Sequence, residues 1–203
     1  HNQSRRQRQM CIRDRIKSFA NLLREKNWKD NYIDQADLTR KPLPRPEIFK
    51  THYPIGPIVV FTPSNFPLAF STAGSDTISA LAAGCPVIVK SHSMHSGTGE
   101  LISYAINKAL KKTQMPDGIF SNLNGKENEV GEFLVKHPKI SGVGFTGSLK
   151  GGRALIEIAN NRSNPIPVFA EMGSINPIVI MDGALEQENK KLIDQISSSI
   201  TLG

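Results

Sequence analysis

The sequence predicts an α/β fold: a parallel β-sheet with helices covering both of its faces. Short apolar runs alternate strictly with helical stretches from Ile58 to Ile200. The runs are apolar at consecutive positions rather than at every second one, as strands buried on both faces require. Gly, Pro, Ser and Asn punctuate the segments between them, the residues of turns and helix caps.

The elements follow in order. Ile58–Phe61 reads as the first strand, and the Pro63–Pro67 turn leads to a helix over Ser71–Ala83 that Gly84 ends. Pro86–Lys90 is the next strand, and a helix over Gly97–Lys112 stops before Pro116. Gly118–Phe120 then reads as a short strand and Glu127–Lys136 as a helix. Gly142–Phe145 is a strand, followed by a helix over Ser148–Asn160. Strands at Val168–Ala170 and Pro177–Ile180 and a helix over Leu185–Ile200 complete the pattern. Residues 54–203 are thus expected to form one domain. Upstream, Ile16, Phe19, Ala20, Leu22 and Leu23 stand at near-helical spacing, which predicts a short amphipathic helix over 16–29. Tyr32–Pro54 is polar, with prolines at 42, 44, 46 and 54, so an extended linker is expected up to residue 53. The polar, arginine-rich stretch 1–15 is expected to be a non-native or disordered basic tail.

Charge and composition exclude several functions. The 203 residues carry a formal net charge of +7. Between His1 and Lys17 six basic residues face only Asp14, which places +5 there and leaves +2 for the rest. A nucleic-acid-binding module is therefore disfavoured, because the core is near neutral and shows no interleaved basic and aromatic platform. No apolar stretch approaches the roughly 20 residues of a membrane span. The two cysteines, Cys11 and Cys85, form no disulfide framework or metal-ligand spacing, and a reducing, cytoplasmic setting is expected.

In parallel sheets ligands bind outside the carboxyl ends of the strands, so the loops after Phe61, Lys90, Phe145 and Ala170 are where chemistry is expected. Two prolines set the backbone around Asn65, whose amide can donate to a ligand. Lys90, with His92 and Ser93 beside it, can meet a ribose hydroxyl or a phosphate. Gly147 permits close approach, and Ser148 opens a helix whose N-terminus can hold an anion. Glu171 can serve as a general base. Each also has an ordinary role: a turn residue, a solvated strand-end lysine, an N-cap, a capping carboxylate.

Their joint order decides more. Pro63-x-Asn65-Phe66-Pro67, then Ala82 to Lys90 (AAGCPVIVK), then Gly144-Phe145-Thr146-Gly147-Ser148, then Glu171-Met172-Gly173 resembles the aldehyde dehydrogenase superfamily from about Pro54 to Gly203. The resemblance implies a Rossmann-like NAD(P)-binding domain. It implies that Asn65 stabilises the oxyanion formed when a thiolate attacks an aldehyde, and that Glu171 activates water for thioester hydrolysis. For the cofactor, NADP or NAD, it implies that Phe61, Thr62, Pro63 and Ser64 line the nicotinamide ribose. Lys90 then meets the adenosine ribose with His92 and Ser93 beside it, and Gly125 lies by the adenine. Ser148 contacts the pyrophosphate, with Phe145, Gly147 and Gly151 in the same stretch, and Met172 stands behind Glu171. The family's nucleophilic cysteine should follow Glu171, yet no cysteine lies there. The chain is accordingly expected to be an N-terminal fragment, inactive by itself, of an enzyme that is a homo-oligomer at full length.

Ser64 before Asn65, the histidines of Lys90–Thr98 (KSHSMHSGT) and the Glu171–Pro177 segment (EMGSINP) are similar to α-ketoglutaric semialdehyde dehydrogenases. Many relatives carry a glutamate where Ser93 stands. Without that carboxylate nothing repels a 2′-phosphate beside Lys90, so NADP+ is expected to be tolerated or preferred. A succinate semialdehyde or broad-specificity enzyme is the alternative substrate reading, and a non-catalytic interaction protein that keeps the fold is the alternative of another class.

Overall fold

The computed structural model describes residues 2–25, 28–125, 128–175, 177–183 and 189–202, and of residues 2–11, 189, 190 and 202 the main chain alone. The chain divides into two compact units, His1–Gly173 and Ser174–Gly203.

The first unit opens with helix α1 (Asn2–Arg24). One helix thus replaces both the disordered tail expected over 1–15 and the helix expected to start at Ile16. Gln, Arg, Leu and Met are good helix formers, and nothing between Asn2 and Arg24 is Gly or Pro. Its half-buried stripe is Ile12, Arg15, Phe19 and Ala20, whereas Ile16, Leu22 and Leu23 are exposed. Arg15 Nη1 donates to Ser75 Oγ at 3.3 Å, and its guanidinium lies 4.6 Å from the Phe70 ring centroid. The basic stretch is therefore joined to the sheet-bearing part of the unit.

Strands β1 (Tyr32–Asp34) and β2 (Ile48–Lys50) pair antiparallel where an extended linker was expected. Prolines 42, 44 and 46 fall between the strands, so they interrupt no ladder bond. Backbone bonds of 2.9 Å in both directions between Asp37 and Arg45 continue the ribbon, and Arg45 also pairs with Asp34 at 3.3 Å.

Five strands then form one parallel sheet: β3 (Ile58–Phe61), β4 (Val87–Lys90), β5 (Phe120–Leu123), β6 (Gly142–Thr146) and β7 (Val168–Glu171). Their order is β5-β4-β3-β6-β7, every neighbouring pair being parallel. The connections leave β3 in one direction through β4 and return to its other side at β6, so the sheet has a switch point between β3 and β6. The helices are α2 (Ser75–Ala82), α3 (Ser96–Lys112), α4 (Asn128–Lys136) and α5 (Leu149–Asn160).

Side-chain alternation builds the two faces. Ile58, Val60, Val87, Val89 and Phe120 pack with Ala80 and Leu81 of α2 and Ile106 and Leu110 of α3. On the other face Val59, Val143, Leu134, Val135, Leu155 and Ala159 bring in α4 and α5. Consecutive apolar strand residues are thus buried on opposite sides, which is what their pattern predicted.

Some boundaries move. Helix α2 starts at Ser75 rather than Ser71, because Gly74 caps it in an extended conformation and its N–H bonds Ser71 O at 2.7 Å. A Cβ on Gly74 would lie 2.6 Å from the Phe70 carbonyl carbon, so only glycine fits that turn. Strand β5 begins at Phe120, two residues late, since Gly118 turns the chain with φ +82. The second unit holds helix α6 (Asn189–Leu202). Its expected start, 185–188, lies outside the described residues. Among the described residues the strand expected at 177–180 does not form, and Ile178 and Val179 are exposed. An apolar run becomes a strand only where a partner edge meets it, and Pro177 removes one donor besides.

Candidate active site

The register brings the carboxyl ends of all five sheet strands to one edge. Phe61 pairs with Lys90 and with Phe145, Lys90 with Leu123, and Thr146 with Glu171. Because Phe61, Lys90 and Phe145 stand side by side, their side chains share the face covered by α4 and α5. A cavity of about 480 Å³ opens there, and Phe61, Lys90, His92, Ser93, Phe145 and Ser148 line it. Gly151 of α5 also borders it. Seven of the residues singled out in sequence therefore meet around one space of a size usual for small-molecule sites.

The floor is aromatic. The Phe61 and Phe145 rings lie 6.3 Å apart at 55°. A Cβ on Gly131 of α4 would come within 3.1 Å of the Phe61 ring, and one on Gly151 within 3.0 Å of Phe145. These glycines let both helices approach the rings while the cavity stays open.

The positive end is Lys90. Its ammonium donates to Ser91 O at 3.1 Å and to Gly125 O, which fixes the loop after β5 against the strand end. Burial holds its pKa below the ordinary lysine value. His92 beside it is held below 6.5, first by burial, then by His95 and by Lys90. The His92 N–H donates to the buried Thr62 hydroxyl at 2.9 Å, and the His95 ring lies 2.8 Å from Pro63 O through Nε2. Thr62 and Pro63 are thus buried supports linking the loops after β3 and β4, not cavity walls.

Across the cavity, Ser148 is the N-cap of α5, with extended backbone (φ −73, ψ 151), and its Oγ accepts from Gly151 N at 3.1 Å. Gly152 N reaches Ser148 O at 2.9 Å. The amides of Leu149 and Lys150 have no partner among the described residues, and the helix dipole adds positive potential there. An anion fits this helix start. Gly147 N bonds Glu171 O at 3.0 Å, which joins the loops after β6 and β7. Met172 packs behind them, its Sδ 2.5 Å from where a Gly152 Cβ would stand.

Asn65, Ser64 and Glu171 lie outside the cavity, exposed at the strand ends. The Asn65 amide bonds no described residue. The loop that follows it is held by the edge-to-face pair Phe66–Phe70, centroids 5.5 Å apart, with Arg15 over Phe70. Cys85 is buried at the amino end of β4, opposite this edge, and carries a free thiol. Among the described residues no group of three His, Cys, Asp or Glu side chains could hold a metal ion. No described helix is long and apolar enough to cross a membrane.

Sequence reasoning missed the cavity's other wall. Asn128, Gly131 and Glu132 of α4 and Ala154, Leu155 and Ile158 of α5 line it. From Gly151 the α5 set recurs at i+3, i+4 and i+7, so extending the helix that starts at Ser148 would have found it. The α4 residues carried no such signal. A second cavity of about 460 Å³, around Lys136, Glu157 and Arg162, touches none of the strand-end loops.

The family profile described as "Aldehyde dehydrogenase family" matches residues 6–202. The chain belongs to the aldehyde dehydrogenase family. This family member is 50% identical over 188 residues to "Alpha-ketoglutaric semialdehyde dehydrogenase 2" of Azospirillum brasilense, covering 93% of this chain and 36% of that protein. It is 46% identical over 192 residues to "Alpha-ketoglutaric semialdehyde dehydrogenase" of Acinetobacter baylyi, covering 95% and 36%. The chain thus spans about a third of the length of these relatives. Among solved structures, an NADP-dependent glyceraldehyde-3-phosphate dehydrogenase from Bacillus halodurans, complexed with NADP, matches with a TM-score of 0.67. That match has 24% identity and covers 85% of this chain and 34% of the other, and it bears on the fold alone.

Proposed function

We propose that this chain is the cofactor-binding part of an NAD(P)+-dependent aldehyde dehydrogenase that oxidises α-ketoglutaric semialdehyde to 2-oxoglutarate. The observation that carries the reading is the identity of 50% and 46% to two α-ketoglutaric semialdehyde dehydrogenases over nearly the whole chain. The cavity supports it. Its aromatic floor, its lysine and a helix start with unpartnered amides suit a dinucleotide's rings, ribose and pyrophosphate.

When bound, NAD(P)+ supplies the hydride acceptor. Lys90 and the start of α5 orient it, and Phe61 and Phe145 exclude water from that side. A cysteine thiolate contributed from outside residues 1–203 adds to the aldehyde carbonyl, and the Asn65 amide donates to the oxyanion that develops. Departure of hydride leaves a thioester. Glu171 then removes a proton from water, which attacks the thioester and releases the acid and the thiol. The absence of a carboxylate at Ser93 favours acceptance of a 2′-phosphate beside Lys90.

The test uses the longer enzyme that contains this chain. α-Ketoglutaric semialdehyde should give faster reduction of NAD(P)+ than succinate semialdehyde at equal concentration, and Asn65→Ala should lower kcat by about 10²-fold or more. Equal turnover of both aldehydes would refute the substrate assignment. An undiminished Asn65→Ala enzyme would refute the oxyanion role.

A further inference from the structure

We propose that His95 is a positioning residue for the oxyanion donor: its Nε2–H clamps the Pro63 carbonyl and so sets the loop that presents Asn65. The proposal rests on the reading of Asn65 as that donor.

The loop after β3 changes character over a short stretch. Thr62 and Pro63 are buried, whereas Ser64 and Asn65 are exposed. The Asn65 amide bonds no described residue, so its place is set by the main chain that leads to it. Proline has no N–H, so the carbonyl is the one main-chain group Pro63 can use for a tie. That carbonyl shares a rigid plane with the Ser64 nitrogen. Whatever holds Pro63 O therefore orients the peptide that enters Ser64 and Asn65.

The tie comes from the loop after β4. Ser93–His95 form one turn of 3₁₀-helix ahead of α3, and the His95 N–H bonds His92 O at 3.2 Å. This turn is itself joined to the end of β3. Thr62 N–H donates to Lys90 O at 3.4 Å, and His92 N–H donates to the Thr62 hydroxyl at 2.9 Å. From that base the His95 ring reaches Pro63 O with Nε2 at 2.8 Å. A carbonyl oxygen only accepts, so Nε2 carries the proton. Nδ1 is buried with no hydrogen-bond partner among the described residues. The opposite tautomer would bury an unpaired donor there and forfeit the bond to Pro63. The geometry thus selects one tautomer. His92, its ring 5.9 Å away, has a different role: its Nδ1 accepts from Met94 N at 3.2 Å, and it lines the cavity, which His95 does not. An oxyanion donor is effective when it is already in place as charge develops, and a donor on a loop needs support from outside that loop. His95 supplies that support without touching substrate or cofactor.

The experiment compares two amide replacements in the longer enzyme that contains this chain. Gln places an N–H as many bonds from Cα as Nε2, whereas Asn places its own at the nearer position of Nδ1. His95→Asn should lower kcat by about tenfold or more, with the KM for NADP+ held within about twofold. His95→Gln should retain most of kcat. An unchanged kcat in His95→Asn, or a His95→Gln enzyme as slow as His95→Asn, would overturn the proposal. In the Asn65→Ala background His95→Asn should cost little more, and a full further loss would also overturn it. Should His95→Asn fail to fold, ¹⁵N-imidazole NMR of the parent 203-residue chain carries the test. The His95 proton should reside on Nε2, and a proton on Nδ1 overturns the clamp. No aldehyde is turned over in that measurement. An Asn65→Ala enzyme with undiminished kcat would therefore remove the oxyanion reading while leaving the tautomer of His95 measured.

Discussion

Ser148 does two things at once, and two substitutions pull them apart. Its Oγ caps α5 by accepting from Gly151 N, and it stands at the helix start where an anion would sit. Ser148→Ala removes the cap, which costs about 1 kcal/mol, or roughly 2–4 °C in Tm for a chain of this size. Ser148→Asp keeps an equally good cap and places a negative charge in the first turn, so Tm should be unchanged or slightly raised. The same charge repels a pyrophosphate. At ~5 Å and an effective dielectric of ~20, one pair of unit charges repels by ~3 kcal/mol. Solvent screening at this exposed position reduces that to ~1.4 kcal/mol, about tenfold in Kd. Thermal unfolding and calorimetric titration with NADP+ measure the two effects separately. Ser148→Ala should lose stability with little loss of affinity, and Ser148→Asp the reverse. NADP+ binding as tight in Ser148→Asp as in the parent would refute an anion site at this helix.

Three further outcomes follow from the same geometry. Ser93→Glu should shift the Kd ratio toward NAD+ by repelling the 2′-phosphate beside Lys90, and an unchanged ratio would contradict the cofactor reading. Gly152→Ala puts a Cβ 2.5 Å from Met172 Sδ, so the methionine must move, and the roughly 1 kcal/mol that Gly→Ala gains inside a helix should not appear as added stability on chemical denaturation. A gain of the full helix-propensity difference would mean that Met172 does not pack against Gly152 as described. His92 is held below its ordinary 6.5, so the folded chain binds fewer protons there than the unfolded one. The stability it contributes is present above about 6.5 and is lost as pH falls from there through the lower folded value. His92→Gln should flatten Tm against pH between about 7 and 5, and an unchanged profile would remove that assignment.

What was legible in the sequence was whatever a short window could carry. The strands β3, β4 and β6 declared themselves because burial on two faces demands consecutive apolar residues. Ser148 and Gly84 marked helix ends because caps are local chemistry. Long-range effects were not legible. Ile178 and Val179 look like β3 yet form no strand, since a ladder needs a partner that no window shows. Arg15 looked like one charge of a basic tail, and only its docking on Ser75 and Phe70 makes it part of the unit. The prolines between 42 and 46 suggested an extended linker, but they sit in the bend of a small ribbon and leave its two strands free to pair. The α4 wall of the cavity is set by where the helix lands on the sheet, which residue identity alone does not encode.

Calorimetric titration of the 203-residue chain with NADP+, beside its Lys90→Ala variant, tests the central claim most directly. Saturable one-to-one binding that weakens at least several-fold in Lys90→Ala is the predicted result. A titration without saturation, or an affinity that Lys90→Ala leaves untouched, would contradict the cavity's role as the cofactor site.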